Sequence, residues 1–550
     1  MKLLSTICLA CILGATTASA QKIHVDLQLE LNKLDDSEFV SALVYLPQRV
    51  AVNQLSRELA IQKMPRSARH EKVVTSLQQV AVQSQPELMQ ELQQLQATGS
   101  VSRIQPFWIV NAISVRASKE AIIQLAERGD VKSIYLDYPI ERIEEVASRP
   151  SRVGAGDGGG VATGGSSPEP GLTAIRAPEV WALGITGNGV LVSSIDTGVS
   201  GNHPALNTRW AGTANPAYAG NPQWAWFDPF TSTSTPASFG SSHGSHTMGT
   251  ICGGAPGDQI GVAPDAQWIH AASIDRGGSF GETISDAILS FQWIADPDGD
   301  PATDFDVPCV CSNSWGVTGF HGVDDCDEEF WQFVDAIEAA GCLVVFAAGN
   351  EGDSGFGVRR PADRATTEYQ TLAVAAVDGN NSDFPIAGFS SRGPSFCTPD
   401  GSMAIKPDIA APGVAVRSCD SFNGYQESSG TSMAAPHIAG VVALISEANP
   451  NLTSDEIKQI MFDASTDLGS SGEDIEYGWG IIDAFEAVQI AISMNILLGD
   501  VNQDGVVDLL DVSSFVDLIV SGEYQAEADV NRDGVVDLLD VAPFIDILIG

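Results

Sequence analysis

Basic residues are scarce in this chain. Only 28 Lys and Arg stand against 70 Asp and Glu over 550 residues, a formal net charge of −42. A field of that sign repels phosphate backbones and anionic bilayers, so nucleic acid and acidic membrane surfaces are excluded as partners. It favours cations, calcium first. Cysteine is also sparse, with 9 in all. Two of these, Cys8 and Cys11, lie at the extreme N-terminus. The other seven are Cys252, Cys309, Cys311, Cys326, Cys342, Cys397 and Cys419. They show neither a Cys-x-x-Cys pair nor a His–Cys spacing suited to zinc. An odd number leaves at least one thiol free or paired between chains. Long apolar runs are missing too. No stretch approaches the roughly 20 residues that span a bilayer, so no transmembrane anchor is expected. Wholesale disorder is ruled out by 44% hydrophobic residues.

Met1–Ala20 combines Lys2, an apolar run from Leu3 to Ala15, and the small residues Ala18-Ser19-Ala20. This is the pattern of a secretory signal cleaved after Ala20. Lipid attachment at Cys11 is the weaker reading, because Cys8 stands where an aliphatic residue is expected. Export makes disulfides permissible, but spacing does not fix their pairing.

The charge falls into blocks. Residues 21–150 carry 15 basic and 16 acidic residues, residues 151–499 carry 11 and 42, and residues 500–550 carry 1 and 12. In the first block, strand-like runs at 41–48, 104–116 and 133–137 alternate with helical stretches at 68–97 and 118–128. This predicts a small α+β domain over 21–145. Residues 146–170 are rich in Gly and Pro and read as an exposed linker. From Gly171 to about 495, short apolar runs (190–195, 307–311, 343–347, 372–377) alternate with helices (281–294, 328–340, 432–447). That predicts an α/β domain, a doubly wound, mainly parallel sheet covered on both faces.

Three separated segments carry the chemistry. Asp196 ends an apolar run, His243 and His246 lie in a Gly/Ser/Thr-rich segment, and Ser432 stands between Thr431 and Met433 before an Ala-rich helix. Each alone has a plain structural reading. Together they suggest acyl transfer, in which His takes the proton of a Ser nucleophile and a carboxylate orients the His. Ala434 breaks the Gly-x-Ser-x-Gly elbow, which argues against an α/β-hydrolase.

These segments, with 347–350 (Ala-Ala-Gly-Asn) and 389–394 (Phe-Ser-Ser-Arg-Gly-Pro), resemble the subtilisin-like serine peptidases, the subtilases. Ser290–Trp293, Ser312–Gly316 and Lys406–Ile409 resemble the bacillopeptidase F-like branch. The resemblance covers residues 171–495 and implies a subtilisin-like fold and an endopeptidase acting on polypeptides without a catalytic cofactor. It implies Ser432 as nucleophile, His243 as general base, Asp196 as its orienting carboxylate and Asn350 as oxyanion donor. Ser314, Trp315 and Gly316 would bind substrate, with Trp315 standing where subtilisins commonly have Leu. Residues 21–145 resemble a subtilase propeptide in position and pattern, so the chain's own propeptide is an expected partner. Autoprocessing is expected between about Glu144 and Gly171. The competing reading is a catalytically silent, subtilisin-shaped scaffold, against which the complete triad and Asn350 weigh. The Trp-bearing interval between Asp196 and His243 reads as a cleft loop or, better, as a satellite core.

Residues 500–511 recur as 529–540. Asp500, Asn502, Asp504, Asp508 and Asp511 fall at positions 1, 3, 5, 9 and 12 of a calcium loop, with Gly505 at the turn and Val506 offering its carbonyl. Asp529, Asn531, Asp533, Asp537, Asp540, Gly534 and Val535 repeat the pattern. Asp rather than Glu at the last position, with one short helix per loop, resembles dockerin repeats over 496–550. This implies structural Ca²⁺, a cohesin-like docking partner and an extracellular location, free or attached to the cell surface through this module. Leu509-Leu510 and Leu538-Leu539 stand at recognition positions but fit a core equally well. A further acidic run at 296–306 reads as a calcium loop or as a solvated insertion, the latter favoured by Pro297 and Pro301.

Overall fold

The computed structural model describes residues 22–150, 168–317 and 331–549, except 36, 256, 277–280, 282, 356, 368, 370, 496, 505 and 532–534. The expected signal segment, most of the linker, Cys326, Gly505, Asp533 and Gly534 lie outside the described residues. The chain divides into two compact units, 1–487 and 488–550.

In the first unit, residues 22–136 form a four-stranded antiparallel sheet covered by helices. The strands are ordered Val101–Phe107, Ala112–Ser118, Phe39–Tyr45, Ser133–Leu136. The expected β-rich stretch is a hairpin that turns at Trp108–Asn111, with Asn111 at φ 48°. The long helical stretch is two helices, Arg66–Ser84 and Pro86–Ala97, because Pro86 cannot donate to a continuing helix and instead starts a new one. Ser118 caps Lys119–Ala126 by accepting from the Ala121 amide.

Strand alternation then divides the burial. Val40, Ala42 and Val44 face this region's own core with Leu88, Leu92, Ile113 and Val115. Leu43 and Tyr45 face the other way, into a cluster with Ile284, Phe291, Trp315 and Phe333. Both faces are therefore dry. Each large apolar side chain so buried contributes about 1.5–3 kcal/mol before conformational entropy is counted.

The second layer system is a seven-stranded sheet. Its spatial order is Ile409–Pro412, Leu372–Val377, Leu343–Ala347, Val310–Asn313, Leu191–Asp196, Gln267–Ala272, Trp226–Phe227, with every pairing parallel. Burial on both faces explains the near-continuous apolar runs. Helices Ile284–Ala295 and Gln332–Ala339 pack on one face. Helices His243–Cys252 and Thr431–Ala448 pack together against the sheet on the other. The chain order reverses beside Leu191–Asp196, and the crevice beyond the carboxyl ends of strands at such a point is where ligands bind in open α/β sheets. Asp196 stands at that end.

Candidate active site

Asp196 is the last residue of its strand and is 3% exposed. Its Oδ1 accepts from Nδ1 of His243 at 2.7 Å and from the Thr197 amide at 2.7 Å, and its Oδ2 accepts from the Thr247 hydroxyl at 3.1 Å. Burial pushes the Asp196 carboxyl up. The His243 ring and the hydrogen bonds outweigh that penalty and hold it below its ordinary value. His243 opens the helix His243–Cys252, and Thr247 lies one turn later on the same face. The Gly244 amide donates to the Thr197 hydroxyl at 3.1 Å, tying that turn to the strand end. Thr197 and Thr247 escaped sequence reasoning. Their only signal was adjacency to Asp196 and His243.

Ser432 is fully buried in the first turn of Thr431–Ala448, where the helix dipole places partial positive charge. Pro436 sits inside this helix and supplies no amide proton to the Ser432 carbonyl four residues back. The Ser314 hydroxyl donates to that carbonyl instead, at 3.2 Å. Asn350 is oriented by its own acceptor side. Its Oδ1 accepts from the Thr431 amide and the Thr431 hydroxyl, each at 2.9 Å, which turns Nδ2 outward. Gly349 before it has φ 114°, and a Cβ there would lie 2.5 Å from a Glu351 carboxylate oxygen. The backbone conformation favours glycine there, and any larger residue would also have to displace that carboxylate.

The cleft is filled by the chain's own residues 141–150. Glu141–Arg142 pairs antiparallel with Trp315–Gly316, and Ala147–Pro150 pairs antiparallel with Tyr425–Ser429. Between these pairings, the Ile143 amide donates to the Ser314 carbonyl at 3.0 Å and the Val146 amide to the Ser429 carbonyl at 2.9 Å. The Ser432 hydroxyl donates to the Ile143 carbonyl at 3.1 Å, and Asn350 Nδ2 donates to the Glu144 carbonyl at 2.7 Å. His243 Nε2 is buried without a hydrogen-bond partner. Asp196 and His243 thus meet directly, while Ser432 and Asn350 meet on one stretch of peptide. The serine proton is turned to that peptide rather than to the imidazole. Trp315 presents its backbone to the segment. Its ring is 1% exposed, against Phe291 and Phe346.

Other motifs sort differently. His246 is fully buried with Nε2 on the Val416 carbonyl at 3.0 Å, and burial lowers its pKa to about 4. The interval before His243 is a satellite core, in which Trp210 packs on Trp268 and Trp226 stacks on His270. In the acidic run Asp300 and Asp304 are exposed, as in a solvated insertion, but Asp296 and Asp306 are not. Burial, then neighbouring carboxylates, raise these two to about 6 and about 7. The six described cysteines are buried free thiols.

The second unit repeats one geometry twice. Asp511 takes the Asn502 amide on one oxygen and the Asp508 amide on the other, at 2.9 and 2.8 Å. Asp540 takes the Asn531 and Asp537 amides, each at 2.9 Å. Phe515 and Phe544 stack at 4.0 Å in the small core between the helices Asp511–Ser521 and Val541–Ile549. Asp500, Asp511, Asp529 and Asp540 are all at most 5% exposed, and Arg532 is the one basic residue from 500 to 550. Buried carboxylates so short of cations, arranged as hard oxygen donors, fit Ca²⁺. Among the described residues no three such groups are already drawn into a closed cage. The doublets Leu509-Leu510 and Leu538-Leu539 are 65–81% exposed, so they are not core.

Residues 187–480 match the subtilase family, and residues 498–548 match the dockerin type I domain. Bacillopeptidase F of Bacillus subtilis (strain 168) is 33% identical over 433 residues, covering 76% of this chain and 28% of that protein. Subtilisin E of the same organism is 32% identical over 327 residues, covering 58% of this chain and 71% of the relative. Fervidolysin from Fervidobacterium pennivorans, described as a keratinolytic enzyme related to subtilisin, shares the fold. Its TM-score is 0.53 at 22% identity, covering 83% of this chain and 62% of that one. The chain therefore spans just over a quarter of the length of bacillopeptidase F and most of subtilisin E. With its parallel sheet, its buried Asp–His pair and these matches, the chain belongs to the subtilase family of serine peptidases and carries a C-terminal dockerin type I domain.

Proposed function

We propose that this chain is a secreted serine endopeptidase made as a self-inhibited precursor. Ser432 attacks the peptide carbonyl, and His243 takes its proton and later gives it to the leaving amine. Asp196 holds the His243 tautomer and stabilises the imidazolium. Asn350 and the Ser432 amide donate to the oxyanion, where one such donor supplies about 3–4 kcal/mol. Ser314–Gly316 binds substrate as an added strand.

The observation that carries this reading is the chain's own peptide at 143–144, held between Ser432 and Asn350. Residues 1–20 then act as export signal, 21–145 as propeptide, 146–170 as processed linker, 171–495 as catalytic domain and 496–550 as docking domain. The first cut falls at one of the two bonds flanking Glu144. For that cut the Ser432 hydroxyl turns from the Ile143 carbonyl to His243 Nε2, which takes its proton as Oγ attacks. Two Ca²⁺ ions would be held by the repeats at 500–511 and 529–540 and would supply structural cross-linking of the loops. The exposed Leu doublets support a cohesin-like partner. No described helix is long and apolar enough to cross a membrane.

Ser432→Ala tests the reading. The variant should accumulate the uncut precursor, whereas the native chain yields a product beginning at Glu144 or Glu145. Normal processing by the variant, or failure of a serine-directed phosphonate to label the mature native chain, would return the silent-scaffold reading.

A further inference from the structure

Arg142 enters the cleft one residue before Ile143, whose carbonyl faces Ser432. Its guanidinium is 16% exposed and lies among groups of the catalytic unit. Nη1 donates to the Ser241 hydroxyl at 3.0 Å, and Nε lies 3.4 Å from the Asp275 carboxylate. The remaining contact is internal to the segment, Nη2 to the Glu144 carboxylate at 2.7 Å. Ser241 is fixed independently, because its oxygen also accepts from the His243 amide at 3.1 Å.

Asp275 is fixed as well. Its backbone lies in the left-handed region at φ 43°, which a non-glycine residue adopts only under constraint from its surroundings. The constraint is next door. Arg276 is 5% exposed and donates to Asp228 at 2.9 Å and to the Ala272 carbonyl at 2.6 Å. Asp228 is anchored in turn by the Thr231 and Thr233 hydroxyls. The Asp275 carboxylate, 44% exposed, is thereby held out at the cleft edge by a buried ion pair.

We propose that Asp275 and Ser241 form a cation subsite, which selects substrates with Arg or Lys immediately before the residue that takes the place of Ile143. This rests on the peptidase reading above and adds to it a substrate class. Arg fits better than Lys, because the two contacts approach different nitrogens of one planar fork.

The test uses mature enzyme from the full chain and two internally quenched peptides. One reproduces the cleft sequence Glu-Arg-Ile-Glu-Glu-Val, and the other carries citrulline, the uncharged isostere, in place of Arg. A partly exposed ion pair and one charge-assisted hydrogen bond predict about a 3- to 10-fold preference in kcat/KM for the Arg peptide at low salt. That preference should shrink at about 1 M salt. Asp275→Asn should bring the ratio close to one. Equal cleavage of the two peptides by the native enzyme, or an undiminished ratio in Asp275→Asn, overturns the subsite and leaves the peptidase reading standing. Failure of the native enzyme to cut either peptide or to react with a phosphonate overturns the peptidase reading instead. Should Asp275→Asn not fold, Ser241→Ala carries the test, and an undiminished ratio there also overturns the proposal.

Discussion

Asp196→Asn isolates what charge contributes to this site, because the local geometry accommodates the amide. The oxygen of Asn can occupy the Oδ1 position, accepting from His243 and the Thr197 amide as Asp196 does. Its NH₂ then meets the Thr247 hydroxyl, which already has a second acceptor in the Gly244 carbonyl at 3.2 Å. Each partner stays satisfied, so the variant should fold and keep its imidazole in place. What is lost is the attraction between the carboxylate and the imidazolium that forms during attack. At about 4 Å and an effective dielectric of about 20, that attraction is about 4 kcal/mol. It corresponds to roughly a thousandfold in rate. The assay is the first-order conversion of precursor to mature chain, followed by gel densitometry. On the proposed reading the peptide to be cut is already bound, so the rate reports a single intramolecular turnover. A loss smaller than tenfold, with the variant folded by circular dichroism, would refute the assignment of Asp196 as the charge partner of His243.

Docking of the cut propeptide should depend on pH through two groups of opposite sign. Burial raises Asp137 from its ordinary 3.8 to about 6. Docking is therefore favoured fully below about pH 4, and this contribution is lost as pH rises through about 6. Burial lowers His70, so its contribution is present above its ordinary 6.5 and is lost as pH falls below it. The inhibition constant of the released propeptide, measured from pH 4 to 8, should rise relative to that of Asp137→Asn by up to about a hundredfold. A ratio that does not change with pH would count against the Asp137 assignment. Calorimetric titration with Ca²⁺ should show two tail sites, of which Asp511→Asn removes one and Asp540→Asn the other. Unchanged stoichiometry in both variants would sink the assignment.

The parts of the site legible in the sequence are those whose chemistry is local. Asp196, His243, Ser432 and Asn350 each lie in a short motif that can be read without the fold, and some neighbours serve the same group, as the Thr197 amide serves Asp196. The tail loops are legible for the same reason, since all their donors lie within twelve positions. Residues joined only by the fold were not legible. Asp275 and Ser241 are unremarkable in their segments and meet only around Arg142. Ser314 was expected to bind substrate, but its tie to the Ser432 carbonyl depends on Pro436, more than a hundred positions away. The fold was legible where periodicity is simple, as in Leu343–Ala347 and Leu372–Val377, which match their expected bounds. It was less so at Pro86, where two helices read as one, and at Val25–Leu31 and Val52–Ile61, which were not anticipated. The Leu doublets stayed ambiguous because they stand in the turns before the helices Asp511–Ser521 and Val541–Ile549, where no periodicity assigns them a face.

The segment 141–150 completes two separate strand edges, one at Trp315–Gly316 and the other at Tyr425–Ser429. The proposed first cut severs this segment: 141–143 leave with the propeptide and bare the Trp315–Gly316 edge, whereas 147–150 remain on the mature chain and bare the Tyr425–Ser429 edge only when they peel away. Such edges take up any extended chain and exclude one already folded into its own ladders. On the proposed reading the mature enzyme would distinguish unfolded from folded polypeptide before any side chain is read. The same opening makes neighbouring enzyme molecules compete with substrate whenever one of them loosens.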